Sequence, residues 1–223
     1  MIAALYVAKG GCYFGLPDVD PWDEERDARL YAGPWPVVAH PPCDRWGRYY
    51  DGGPSWRARG LTPKVKGDDG GCFAAALQAV RNFGGVLEHP SGTSAWPAHG
   101  ILSPLVYSWT AAGDWQGWVC RVDQGAFGHR ARKETWLYAV GCDLPSLPWG
   151  VSRPPLDGTP RERKTGICQR LSRKQRAATP IPFRDLLLSM ARSVRVPIMR
   201  NLYETDEELR QRIMGSESET NVR

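Results

Sequence analysis

The chain has 223 residues, 42% of them apolar and ten of them tryptophan, with a formal net charge of +5. That length buries one core and leaves room for an appendage. No window approaches the roughly eighteen uninterrupted apolar residues a membrane span needs, and Met1 to Lys9 shows no basic stretch ahead of an apolar one, so the expected place is cytoplasmic, without a secretory leader or membrane contact.

In chain order, Ala3 to Ala8 reads as a strand, and Lys9-Gly10-Gly11 follows as a turn. Asp18 and Asp20 come next, then Asp23-Glu24-Glu25. A glycine turn after a strand followed by carboxylates suits a nucleotide-type cofactor, with an acid on a ribose hydroxyl. The same glycines serve equally as plain turn chemistry. Val37 to Ala39 is short, β-branched and uncharged, as a buried strand is, and Pro41-Pro42 ends it because neither proline has an N–H to give. Cys43 follows on a rigid turn, where open α/β sheets carry ligands at the carboxyl edge. It is the candidate nucleophile.

Trp46 to Lys66 has no helical or strand period and reads as a long mobile loop beside that cysteine. Cys72 to Asn82 is a helix, with Asp68-Asp69 at its start and Gly84-Gly85 at its end. Gly85 to Pro90 repeats the strand-then-proline logic and carries Glu88. A crossover containing a helix makes the Cys43 and Glu88 strands parallel neighbours, so their side chains can meet in one pocket. A salt-bridged structural carboxylate is the alternative for Glu88. Ser91 to Trp118 is irregular; Trp118 to Asp123 and Trp136 to Gly141 are β-rich runs around Gln124 to Lys133, a connection dense in donors that suits a phosphate or base edge, or simply a hairpin exposed to water.

Between Arg153 and Arg176 eight basic residues face two acids, a segment suited to a polyanion or to plain solvation. Thr179-Pro180 is a helix start, followed by an apolar stripe at Phe183, Leu186, Leu187, Met190, Ala191 and Val194. Thr205 to Glu208 resembles a capping box, and Gly215 onward has the composition of a disordered tail. The six cysteines form no C-x-x-C pair, and His40 with Cys43 lacks a second pair at ligand spacing, so neither disulfides nor a metal is expected. The expected fold is α/β: a single mostly parallel sheet with flanking helices and long irregular loops. Residues 1–150 form the core, 151–178 a basic loop, 179–200 a helix packed on the core, and 201–223 a short charged helix and tail.

Three pieces resemble the cytosine-5 DNA methyltransferases, especially their small phage-encoded relatives. Pro41-Pro42-Cys43 is similar to the family's nucleophile motif, Glu88-His89-Pro90 to its Glu-Asn motif, and Gln124 through Lys133 with Thr135 to its basic motif; Arg176 to Arg192 also looks similar to the end of such phage proteins. The resemblance implies a reduced Rossmann-like methyltransferase core acting on DNA. Cys43 would add to ring carbon 6 of a base swung out of the helix. Glu88 would bind the ring nitrogen and exocyclic amine. One of Arg130, Arg132 and Lys133, with Arg132 in the catalytic place, would hold the base carbonyl or a phosphate, and Pro42, His89 and Gln124 would complete the substrate contacts. The cationic cluster would also lower the cysteine's pKa. S-adenosylmethionine would be the cofactor, held by Gly10, Gly11, Asp18 and Asp20. The chain departs from the family pattern where the family places a cofactor helix: only 36 residues precede Val37, so that pocket is compressed or gone. Two alternatives keep the same motifs: a phage base-modification enzyme transferring another group without S-adenosylmethionine, and an inactive DNA-binding protein.

Overall fold

The computed structural model describes residues 1–114, 116–154 and 171–195. The strands are β1 (Ile2–Leu5), β2 (Val19–Trp22), β3 (Val37–Ala39), β4 (Gly85–Pro90), β5 (Thr110–Ala111), β6 (Trp118–Asp123) and β7 (Glu134–Val140). They form one sheet in the order β2-β1-β3-β4-β7-β6-β5. The helices are α1 (Gly53–Ala58), α2 (Cys72–Phe83), α3 (Ala95–Ala98), α4 (Arg173–Ala177) and α5 (Ile181–Arg192).

The sheet is mixed, where the sequence led us to expect a mostly parallel one. β2, β1, β3 and β4 pair in parallel, and β7, β6 and β5 join antiparallel. The reason is connection length: residues 124–133 between β6 and β7, and 112–117 between β5 and β6, are too short for a crossover, so each chain turns back beside itself. β1 and β3 are buried along their whole length, which is why they read as unbroken apolar runs rather than alternating ones. β2 was not anticipated because Pro21 interrupts it; as the edge strand it has a free side where a missing N–H breaks no ladder.

Each face of the sheet is covered by one long helix. Phe73, Ala76, Leu77 and Val80 of α2 pack on one side with Ala3, Leu5, Val37, Ala39 and Leu87. Phe183, Leu187, Leu188, Met190 and Ala191 of α5 pack on the other with Ala4, Val38, Val86, Leu137 and Ala139. Burying one large apolar side chain in this way contributes about 1.5–3 kcal/mol. α5 starts after Pro180 without a side-chain cap, so Thr179 does not have the capping role expected of it. Gly85 opens β4 at φ +116, and a Cβ there would lie 2.0 Å from the Val37 carbonyl oxygen; only glycine lets β4 approach β3 this closely.

The start of α2 is fixed by Asp69, whose carboxylate accepts from the backbone N–H groups of Gly71 and Phe73 and from the Trp46 indole at 2.8 Å. Asp69→Ala is therefore expected to lower the unfolding free energy by about 1–2 kcal/mol in urea titration, and an unchanged midpoint would contradict this role.

Among the described residues no helix is long and apolar enough to cross a membrane. Most of the basic 153–176 segment, and the charged helix and tail expected beyond 200, lie outside the described residues.

Candidate functional site

β1 has β2 on one side and β3 on the other, so the chain leaves these strands in opposite directions. The carboxyl ends of β1 and β3 flank this switch point, the place where open α/β sheets form a ligand crevice. Strand alternation then decides what faces it. Val38 and Val86 point to the α5 side, and two residues further on in each strand come His40 and Glu88. By the same period Thr135 shares a face with Leu137 on β7, and Gln124 follows Val122 beyond β6. Four polar side chains from four neighbouring chain segments thus form a row across one face.

Hydrogen bonds close that row. Glu88 Oε2 lies 2.8 Å from His40 Nδ1, and His40 Nε2 lies 2.8 Å from the Tyr13 hydroxyl, which arrives from the β1–β2 connection. Glu88 Oε1 accepts from Gln124 Nε2 at 3.0 Å and from the Thr135 hydroxyl at 3.1 Å. Because a carboxylate only accepts, His40 carries its proton on Nδ1, and in the neutral ring Nε2 accepts from Tyr13. Burial by itself would push the Glu88 carboxyl up; the hydrogen bond and charge of His40, helped by Lys133, outweigh it and hold the carboxyl at about 2.

Cys43 sits half-buried on the turn after β3. Burial raises its thiol above the ordinary range, the negative charges of Asp44 and Glu88 add to that, and Lys133 opposes it. In sequence Cys43 lies three residues beyond His40, whose Nδ1 is 2.8 Å from Glu88 Oε2. The expected lowering of the cysteine's pKa by the basic cluster is reversed, because one ammonium does not offset burial beside two carboxylates. Alkylation of Cys43 at pH 7, followed by peptide mass spectrometry, is expected to be slower than that of an unstructured cysteine peptide and to speed up in Glu88→Gln; faster alkylation in the wild type would contradict this electrostatic picture.

The other expected site residues are placed as follows. Lys133 Nζ lies 3.4 and 3.3 Å from the carbonyl oxygens of Ala177 and Ala178 after α4. The Arg132 guanidinium is committed to Glu134, with Asp123 3.8 Å away, so it stands as a structural ion pair rather than a free base-binding group. Arg130 and Pro42 are exposed. Gln124 has no exposed surface and acts as a support for Glu88 rather than a direct substrate contact. His89 is also wholly buried, on the α2 side, with Phe73 and Trp96 edge-on and Nδ1 2.9 Å from the Thr93 hydroxyl. Adjacent residues on a strand face opposite ways, so His89 cannot share a pocket with Glu88. Burial lowers its pKa to about 4.

The residues expected to hold a cofactor do not gather. Gly11 closes a tight turn onto the Ala8 carbonyl, which a Cβ would approach to 2.8 Å, so this glycine serves the turn itself. Asp18 stands at the amino end of β2, at the opposite end of the sheet from Gly10 and Gly11, paired with Arg192 of α5 at 2.8 Å. Asp20 is held by the Arg26 guanidinium and by the Trp22 indole at 2.8 Å. Among the described residues no group of three or more His, Cys, Asp or Glu is placed to hold a metal ion.

Two members of the hydrogen-bonded row went unrecognised in the sequence. His40 had a usable signal, two residues beyond Val38 and so on the same face as Glu88. Tyr13 had none, since its loop carries no period. Comparison of the chain with protein-family models, with curated proteins and with solved structures returns no match.

Proposed function

We propose that this protein is an enzyme that modifies a pyrimidine in DNA through a covalent adduct at Cys43, in the manner of the cytosine-5 methyltransferases it resembles. The observation that supports the reading is that β3 and β4 are parallel neighbours whose carboxyl ends carry His40 and Glu88, bonded at 2.8 Å, with Cys43 three residues beyond His40 on the turn that leaves β3. In the reaction the Cys43 thiol gives its proton to water, the sulfur forms a bond to ring carbon 6, and the electron pair of the 5,6 double bond moves to carbon 5, which takes up an electrophile, loses its own proton to water and expels the sulfur to restore the ring. Glu88, held ionised, accepts the N–H of the exocyclic amine. Lys133 steadies the thiolate.

The family implies S-adenosylmethionine as methyl donor, but the four residues that would hold it do not fit: Asp18 and Asp20 are spent on Arg192, Arg26 and Trp22, and Asp18 is at the wrong end of the sheet. Mass spectrometry of nucleosides from cells expressing the protein tests the reading: wild type yields a pyrimidine of altered mass and Cys43→Ala does not. Unaltered pyrimidines with the wild type would contradict it and favour the inactive DNA-binding reading, which the raised pKa of Cys43 already supports.

A further inference from the structure

The segment after Cys43, which has no period in the sequence, contains α1 and is tied by hydrogen bonds of its own. Its ends are pinned where the Gly67 N–H meets the Arg45 carbonyl at 3.0 Å, and the Lys64 N–H bonds the Asp51 carbonyl inside it. Trp56 is its hub: the ring folds back on Gly52, where a Cβ would lie 2.4 Å from the ring, and the indole donates to the Thr62 carbonyl at 2.8 Å.

Residues 45–66 carry six basic side chains and one acid, Asp51. That acid is used by Arg57 at 2.9 Å, and among the described residues none of the other five cations has a carboxylate partner. Four of them lie against aromatic rings instead: Arg48 over Tyr49, Arg59 and Lys64 over Trp56, Lys66 over Tyr50. Tyr49 is itself 56% exposed. Cations set in place by rings, and without a carboxylate partner among the described residues, form a surface for phosphates. An exposed ring among them adds a stacking platform for an unpaired base.

We propose that this loop is a binding surface for single-stranded nucleic acid, with Arg48, Arg59, Lys64 and Lys66 on the phosphates and Tyr49 against a base. Because Cys43 stands on the turn that opens the loop, a strand held there runs past the candidate nucleophile. The inference concerns binding and stands independently of any chemistry at the cysteine.

The test is fluorescence-polarisation binding of a labelled mixed-sequence single strand, the same sequence as duplex, and heparin, over a range of salt. Single strand is expected to bind about ten-fold or more tighter than duplex, with Tyr49→Ala weakening it about ten-fold. Arg48→Glu with Lys64→Glu and Lys66→Glu is expected to weaken it about a hundred-fold and to reduce the slope against log salt by about 2, from three lost phosphate contacts at ~0.7 each. The glutamine triple variant, with circular dichroism on both, separates lost charge from lost fold. Wild-type binding by a folded triple variant overturns the proposal, as does equal or tighter binding of duplex or heparin. A wild type that binds through the loop yet alters no pyrimidine would refute the proposed chemistry and leave this surface standing.

Discussion

Replacing Glu88 with alanine is expected to lower the unfolding free energy by about 3–5 kcal/mol, more than any other change at the site. The carboxylate is 7% exposed and satisfies His40, Gln124 and Thr135 together. Alanine leaves His40 Nδ1 without its carboxylate, while Gln124 keeps the Thr135 hydroxyl at 3.0 Å and Thr135 keeps the Lys133 carbonyl at 3.3 Å; the loss comes from the broken buried pair and the space left by the side chain. Glu88→Gln, which keeps the volume and one oxygen, should lose less than half as much. Urea titrations of the three proteins measure this; a loss below about 1 kcal/mol for the alanine variant would mean that water, not the carboxylate, satisfies these donors.

Acid is expected to weaken the fold in two stages, each of about 3 kcal/mol at 1.36 kcal/mol per pKa unit. His89 goes from 6.5 in an ordinary setting to about 4 when folded. The unfolded chain takes up a proton between these values and the native chain does not, so this contribution is complete above pH 6.5 and disappears as pH falls toward 4. Glu88 goes from 4.5 to about 2, so its contribution is complete above pH 4.5 and disappears between there and pH 2. His89→Gln should flatten the upper stage and Glu88→Gln the lower one. Unfolding free energies measured from pH 8 to pH 3 check both, and a wild-type curve flat between pH 6.5 and 4 would contradict the burial of a neutral His89.

Much of the scaffold was legible because its signals are local. β3, β4 and β6 were placed as they stand; the α2 helix was marked by the acids at its start and the glycines at its end, and α5 by its apolar stripe. Pro21 hid β2, since an edge position is a property of the assembled sheet and not of the segment. The direction of β7 was legible in the short 124–133 connection, yet the fold class was set by the parallel half alone.

At the site, the two strand-end residues Cys43 and Glu88 could be found because each sits where an apolar run stops at a proline. What the sequence hid was competition for the same groups. Asp18 looks like a cofactor ligand until Arg192, 174 residues away, takes it. His89 looks like a substrate contact beside Glu88 until the strand's alternation turns it into the α2 core. Charge was visible as a total but not as a surface: the basic stretch at 153–176 is plain in the sequence, while the five other cations of the loop after Cys43, without a carboxylate partner among the described residues, stand out only because Arg57 takes Asp51.

The proposed addition of Cys43 to a pyrimidine ring is reversible, and hydrogen exchange at ring carbon 5 tests it without any group donor. In deuterated buffer, sulfur bonds to carbon 6, a solvent deuteron joins carbon 5, the original carbon 5 proton leaves, and the sulfur–carbon bond breaks to return the ring. Nucleoside mass spectrometry of a cytosine-containing single strand should show deuterium at carbon 5 with the wild type and none with Cys43→Ala. Exchange that persists in the alanine variant, or that is absent from the folded, strand-bound wild type, would contradict the claim.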